Sequence, residues 1–438
     1  MQSIRGSAVA CLVCALCAGA QEPRFLSFSE ARETLSAFGR TDDAAAWDTW
    51  VRAQDREVRA RIDRGVEDSV SNLILYGTSF TPLPPLESAN ALSPEGALTD
   101  TARARLRAAL TAMDRPDAGE RLRFARELLA RHAVRTREEG ERLLDSNLVR
   151  FLREQREYEQ KLAAAAASGN PDEARFVRST LYDRRGLSVD TSLLPNFALE
   201  DTLAAMLRKH AIAPASIRTI AVIGPGLDFA DKRGGYDFYP LQTIQPFAMM
   251  EATIRLGLAS GDGPRVTAFD LNSMVLNHVR QLATKARAGA AYILNLPHEA
   301  DADWTAPVMA YWQHFGDRIA SPAPAAPAPK GVTLRAVSVA PQYAARLSAR
   351  DLNVVGQVAD GEQFDLVVAT NILVYYDRFQ QVLALNSIAR MMAPGGLFLS
   401  NTVLPAERPA EFDYLGRRSV SYSVSGAYGD DIVVYRRK

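Results

Sequence analysis

Ile220-Ala-Val-Ile-Gly-Pro-Gly-Leu-Asp-Phe229 is an apolar run that stops at two glycines and passes into an acidic residue. It reads as the first strand and ligand turn of an open α/β sheet. Gly224 and Gly226 let the backbone turn sharply and leave amides bare, as phosphate or ribose groups require near a helix N-terminus. A plain strand-to-loop exit has the same local pattern, so the neighbouring sequence has to decide between them.

Around this stretch, strands and helices alternate. The pattern predicts a strand over 217–223, a helix over 245–258, a strand over 266–269 ending in Asp270, and a helix over 273–288. Residues 332–339 are expected to resume the sheet as its third strand, which would close in Ser338-Val339-Ala340 without an acid. A fourth strand over 364–370, a helix over 379–392 and the turn Pro394-Gly395-Gly396 into a strand over 397–400 follow. Such alternation predicts a parallel sheet with helices on both faces. At the end of the chain, strand-like runs over 419–424 and 432–435 are separated by only a few residues. So short a connection dictates antiparallel pairing, and hence a hairpin at the sheet edge. The interruption over 292–331 holds Trp304, Trp312 and His314, then a Pro/Ala tract over 320–329 expected to be an extended, exposed tether.

The preceding residues have a different pattern. From 21 to about 213 the chain is helical and rich in Arg, Glu, Ala and Leu. Trp47 and Trp50 fall on one helical face, and Leu144, Leu148, Phe151 and Leu152 recur at helical spacing, as core anchors do. Pro82, Pro84 and Pro85 separate two helical groups. The stretch 184–196 has turn chemistry at both ends and suits either an inter-domain connection or part of a cleft wall. At 438 residues two domains are expected, an all-α one over 21–213 and an α/β one over 214–438 with a Pro/Ala-rich insertion near 320–330.

Composition narrows the partners. Lysine plus arginine and aspartate plus glutamate each total 51, which gives no pull toward nucleic acid, and the arginines at 121, 123, 126 and 131 are interleaved with acids. Arg5 followed by the small apolar run 8–20, closing in Ala18-Gly19-Ala20, reads as a secretory signal with its cleavage site. An exported, periplasmic or secreted protein without a stable membrane span is therefore expected. Cys11, Cys14 and Cys17 all lie in that segment, so the processed chain would have neither disulfides nor thiolate chemistry. The five histidines show no ligand spacing, and no metal site is expected.

Phe364-Asp-Leu-Val-Val-Ala-Thr-Asn-Ile-Leu-Val-Tyr-Tyr-Asp377, followed by Ala393-Pro-Gly-Gly-Leu-Phe-Leu399, resembles the fourth strand and following turn of the class I S-adenosylmethionine-dependent methyltransferases. It is most similar to the chemotaxis-receptor methyltransferase type. The resemblance covers about residues 217–438 and implies a Rossmann-like sheet with a reversed C-terminal strand. It implies S-adenosylmethionine as cofactor, with Gly224 and Gly226 beside its methionine and ribose parts, Asp270 on the ribose hydroxyls and Asn371 near the methyl donor. The loop between Asp228 and Pro240 adds Asp228, Tyr236 and Tyr239 as candidates, since carboxylates and aromatic faces both stabilise a sulfonium. Val222 stands where that superfamily usually has an acid, and Asp270 lies well beyond the spacing of about twenty residues seen in dinucleotide folds. Methyl transfer to an acceptor is the expected activity. The alternative is an exported, non-catalytic binding or interaction protein on the same fold. Transfer from a sulfonium asks mainly for proximity and orientation, so the acceptor leaves no motif of its own.

Overall fold

The computed structural model describes residues 22–167, 186–187, 190–228 and 237–438, apart from 362, 404, 406, 408 and 427. The N-terminal segment expected to direct export, with its three cysteines, Tyr236 and parts of 184–196 lie outside the described residues. Seven strands make the main sheet: β1 (Thr219–Ile223), β2 (Arg265–Asp270), β3 (Leu347–Asp351), β4 (Phe364–Ala369), β5 (Met392–Ser400), β6 (Phe412–Ser421) and β7 (Gly429–Arg437). Across the sheet their order is β3-β2-β1-β4-β5-β7-β6.

The first five strands are parallel, and β7 enters antiparallel between β5 and β6. This is a Rossmann-like, class I methyltransferase sheet with its reversed terminal strand. The terminal hairpin is longer than the sequence pattern indicates, because it begins at Phe412 and pairs through Ser421 with Gly429. Between the buried Phe412 and Val420 its residues are exposed or half-buried, so they show no clean apolar alternation.

Successive side chains of a strand face opposite ways. Ile220 and Val222 of β1 therefore enter one core, and Ala221 and Ile223 enter another. Both faces are covered, which is why the strand reads as one continuous apolar run. The first core is closed by the helices Leu194–Arg208, Gln245–Arg255 and Ser273–Arg287. The second is closed by the helix Arg378–Met391 together with residues from the N-terminal half of the chain.

The third strand corrects the sequence reading. Val332–Val339 does not join the main sheet but pairs antiparallel with Tyr292–Glu299 and Ala320–Ala323 in a separate three-stranded sheet. The start of the Pro/Ala tract is thus a short edge strand, as suits Pro322, which lacks an amide donor. The true β3 follows it and ends in Asp351, so the third strand does close in an acid.

Among the described residues before 168 there are five α-helices: α1 (Phe28–Ala37), α2 (Ala44–Tyr76), α3 (Asp100–Met113), α4 (Glu120–Arg131) and α5 (Arg137–Ala167). Before them, Arg24–Phe25 pairs antiparallel with Gln357–Val358. Helix α2 has 33 residues, so at 1.5 Å per residue it is roughly 50 Å long. Its first half places Trp47, Val51 and Val58 in the second sheet core. Its second half places Val66, Val70 and Leu73 in a third core with Leu106, Leu122, Leu144 and Leu148.

Arg105 is the polar centre of that third core. Its side chain is fully buried, and its guanidinium donates to the carbonyls of Ile74 (2.7 Å), Leu83 (2.6 Å), Pro84 (2.7 Å) and Gly77. The cage ties the end of α2 to the proline-rich loop. Each buried polar group left unpaired costs about 1–3 kcal/mol. Arg105→Ala is therefore expected to lower stability by at least about 3 kcal/mol, read as the shift in a urea unfolding curve.

Candidate functional site

In open α/β sheets, ligands bind beyond the carboxyl ends of the strands, where the strand order reverses. Here the reversal lies between β1 and β4. A cleft of about 740 Å³, counted out to its mouth, opens at that place and is lined by Gly224, Gly226, Asp270, Asn272, Asn371 and Tyr376, among others.

The glycine turn has a left-handed backbone at both glycines and no free room for a side chain at Gly224. Gly224 sits at φ +66° and Gly226 at φ +63°, and a Cβ on Gly224 would run into the side chain of Ile372. The Gly224 amide donates to the carbonyl of Phe269 at 2.7 Å, pinning the turn to the end of β2.

Asp270 closes β2 and accepts from the Asn272 amide at 2.8 Å, with further support from the backbone amides of Leu271 and Gly226. Burial pushes its pKa up to about 6, against the pull of those amides, and Asp351 opposite it adds to the rise. Asn272 caps the next helix through its Oδ1, which accepts from Met274 N at 3.0 Å. Its Nδ2 is buried at the cleft with no hydrogen-bond partner. An unsatisfied buried donor beside a ligand cleft is a candidate ligand contact.

At the far side, β4 leads into Thr370 and Asn371. Asn371 holds φ +58°, a left-handed backbone that Asn tolerates better than most residues. It is fixed by a reciprocal pair, Asn371 N to Asn401 Oδ1 at 2.8 Å and Asn401 Nδ2 to Asn371 Oδ1 at 2.7 Å. A short 3-10 turn, Leu373–Tyr375, leads to Asp377, whose capping box with Gln380 starts the next helix. That turn brings Tyr375 and Tyr376 to the cleft.

The roof comes from the helical half of the chain. Ile62 of α2 lines the cleft together with Leu187 and Thr191. The Leu187 amide donates to the Arg61 carbonyl at 3.0 Å, and Gly65 allows this because a Cβ there would collide with the Leu187 carbonyl. Residues flagged in the sequence as either a connection or a cleft wall thus include two that line the cleft. Arg59 adds a bidentate pair to Asp351 at 2.9 and 2.6 Å, and Asn353 donates to Gln54 and Asp55.

Of the residues singled out by sequence, Gly224, Gly226, Asp270 and Asn371 meet at this cleft. Asp228 lies in a two-residue strand paired in parallel with Asp190–Thr191. Tyr239 is elsewhere: it is buried against Arg121 of α4, whose guanidinium donates to its carbonyl, and it lines a second cavity. Its place in the cleft is therefore corrected, because the aromatic side chain is used to anchor the loop on the helical group. Tyr236 lies outside the described residues. Asn272 was legible only as a helix cap following Asp270, and Ile62, on a helix with no local ligand signal, was not legible at all. Among the described residues, no cluster of three or more metal-ligating side chains occurs, and no helix is long and apolar enough to cross a membrane.

No family model matches the chain, and no curated protein sequence matches it. Solved structures do. The N-methyltransferase NodS from Bradyrhizobium japonicum WM9 is 12% identical over 56% of this chain and 97% of its own, with a TM-score of 0.28. TrmN from Thermus thermophilus is 12% identical over 56% of this chain and 52% of its own, with a TM-score of 0.27. The glycopeptide N-methyltransferase MtfA complexed with sinefungin is 13% identical over 58% of this chain and 98% of its own, with a TM-score of 0.27. At that similarity the assignment of the fold rests on the strand order and the reversed β7.

Because Asp270 has its pKa raised from 3.8 to about 6, the unfolded chain loses this proton first as pH rises. Between those values the folded state holds more protons, so this group's contribution to stability falls as pH rises through the window and is level above it. Glu251, buried and raised to about 7, acts in the same direction. The Asp270 share is therefore expected as a difference: Asp270→Asn should flatten the decline in stability between about pH 4 and 6, measured by denaturant titration at each pH.

Proposed function

We propose that the protein transfers methyl groups from S-adenosylmethionine, with the cofactor held in the cleft between β1, β2 and β4. The observation that carries this reading is the Asp270 carboxylate, fixed by backbone amides at the end of β2 and set at the reversal of a class I methyltransferase sheet. A carboxylate so placed accepts two hydroxyl hydrogen bonds from a ribose. The tight Gly224 turn and the unpartnered Asn272 Nδ2 fit the same ligand, one by leaving room and the other by supplying a donor. When bound, the cofactor supplies an electrophilic methyl group on a sulfonium. The protein's share is to orient it, to exclude water beneath Ile62 and Leu187, and to present the acceptor from the Asn371 side. The chemotaxis-receptor type is kept as the finer proposal, on the run Asn371 to Tyr376 alone.

A second reading, an exported binding protein without catalysis, is favoured by two particulars. Val222 is wholly buried where an acid is usual, and Asp351 is engaged by Arg59. It predicts cofactor binding without turnover. The export itself is proposed from the segment 1–20, and N-terminal sequencing of the mature protein tests it.

Calorimetry with S-adenosylmethionine and S-adenosylhomocysteine should show saturable binding. Asp270→Ala should weaken it by about ten- to a hundredfold, the worth of hydrogen bonds to a charged group. Binding by the wild type should also weaken below about pH 6, where Asp270 takes up its proton. Absence of binding to the wild-type protein contradicts the proposal.

A further inference from the structure

The reversal of β7 has a chemical consequence at the cleft. Because β7 runs opposite to β4 and β5, its first residues arrive at the edge where those two strands end. Asp430 stands there. Asn401, following β5, donates its Nδ2 both to Asn371 Oδ1 at 2.7 Å and to Asp430 Oδ1 at 3.2 Å. Tyr422, buried where β6 enters the turn and so at the same end of the hairpin, donates its hydroxyl to Asp430 Oδ2 at 2.5 Å. One hydrogen-bonded line thus runs from the cleft mouth at Asn371, after β4, across Asn401, after β5, to a carboxylate on β7, the second strand over.

This carboxylate is unusual in its company. Asp430 is half-buried, and among the described residues both of its side-chain partners are neutral donors, with no cation facing it. Burial raises its pKa, and Asp431 adds to the rise. Asp431 by contrast has Arg417 at 3.5 Å. A carboxylate withdrawn from water without a cation of its own is a site for one brought by a ligand.

The surroundings say what else that ligand carries. Val424 and Tyr428, in the turn before Asp430, are 76% and 70% exposed, and Val403, two residues after Asn401, is 63% exposed. The turn is held in place, since the amides of Val424 and Ser425 donate to the Asp303 carboxylate and Trp304 bridges to Ser423. An exposed apolar rim on a fixed turn beside a carboxylate fits an amine attached to an apolar body.

We propose that Asp430, set by Tyr422 and Asn401, is the acceptor subsite, and that the acceptor is a primary or secondary amine on an apolar group. This rests on the reading of the protein as a methyltransferase. The amine enters as its cation and gives up one proton to the Asp430 carboxylate. Its nitrogen lone pair then forms the new bond to the sulfonium's methyl carbon, and the carbon–sulfur bond breaks with its electron pair left on sulfur. The methylated nitrogen again carries a positive charge opposite the site.

The test uses phenethylamine, with 2-phenylethanol and 3-phenylpropionate as neutral and anionic counterparts. Calorimetry on the protein saturated with S-adenosylhomocysteine should show binding of the amine and not of the other two. Asp430→Asn should weaken the amine by at least about tenfold and leave the affinity for S-adenosylhomocysteine within about twofold, which also shows that the variant is folded. Radiolabelled methyl from S-adenosylmethionine should pass to the amine alone. If S-adenosylhomocysteine binds but the amine does not, or binds Asp430→Asn equally well, the subsite is overturned while the cofactor reading stands. If S-adenosylhomocysteine does not bind the wild type, the cofactor reading falls and the subsite with it.

Discussion

Helix α2 is shared by two hydrophobic cores, and the cleft exists because of that sharing. Trp47, Val51 and Val58 hold its first half on the sheet, while Val66, Val70 and Leu73 hold its second half among α3, α4 and α5. Burial of one such side chain is worth about 1.5–3 kcal/mol. The Arg59–Asp351 pair, with both side chains more than a third exposed, is worth at most about 1 kcal/mol. Apolar packing therefore fixes the helix over the sheet, and the ion pair adjusts its orientation. Gly65 marks where the two halves meet, since only a missing side chain lets Leu187 reach the cleft.

Beneath this roof the site is built largely from backbone. Three amides converge on Asp270, and the Gly224 amide is spent on Phe269, so the turn and the second strand form one rigid frame. The side chains that remain for a ligand are few: the Asp270 carboxylate, the free donor of Asn272 and the Asn371 edge. Val222 in place of an acid is consistent with that economy, since its side chain fills a core instead of facing the cleft. Asp351 follows the same logic, because its charge is answered by Arg59.

Much of this was legible in the sequence. The apolar run before Gly224, the strand ending at Asp270, the 364–370 run and the terminal hairpin are local patterns with local causes and identify most of the sheet, while Gly224, Gly226, Asp270 and Asn371 were pointed to as site residues by the resemblance to class I methyltransferases. What was missed has non-local causes. Val332–Val339 has the composition of a core strand, and only its antiparallel partners Tyr292–Glu299 and Ala320–Ala323 remove it from the main sheet. Leu347–Asp351 reads as half-polar, since Ser348 and Arg350 interrupt it, yet it is the strand that completes the sheet. Tyr239 was assigned by loop membership, and its burial against Arg121 is a contact across more than a hundred residues of chain.

The central claim is that a cofactor binds under α2 at the strand-order reversal. Hydrogen exchange with and without S-adenosylhomocysteine tests it most directly, since local protection reports which segments a ligand orders. The account predicts slowed exchange at Gly224 to Leu227, at Asp270 to Asn272 and along α2 around Ile62, with α5 unchanged. Protection confined to other segments, or none with the ligand in excess, would contradict it.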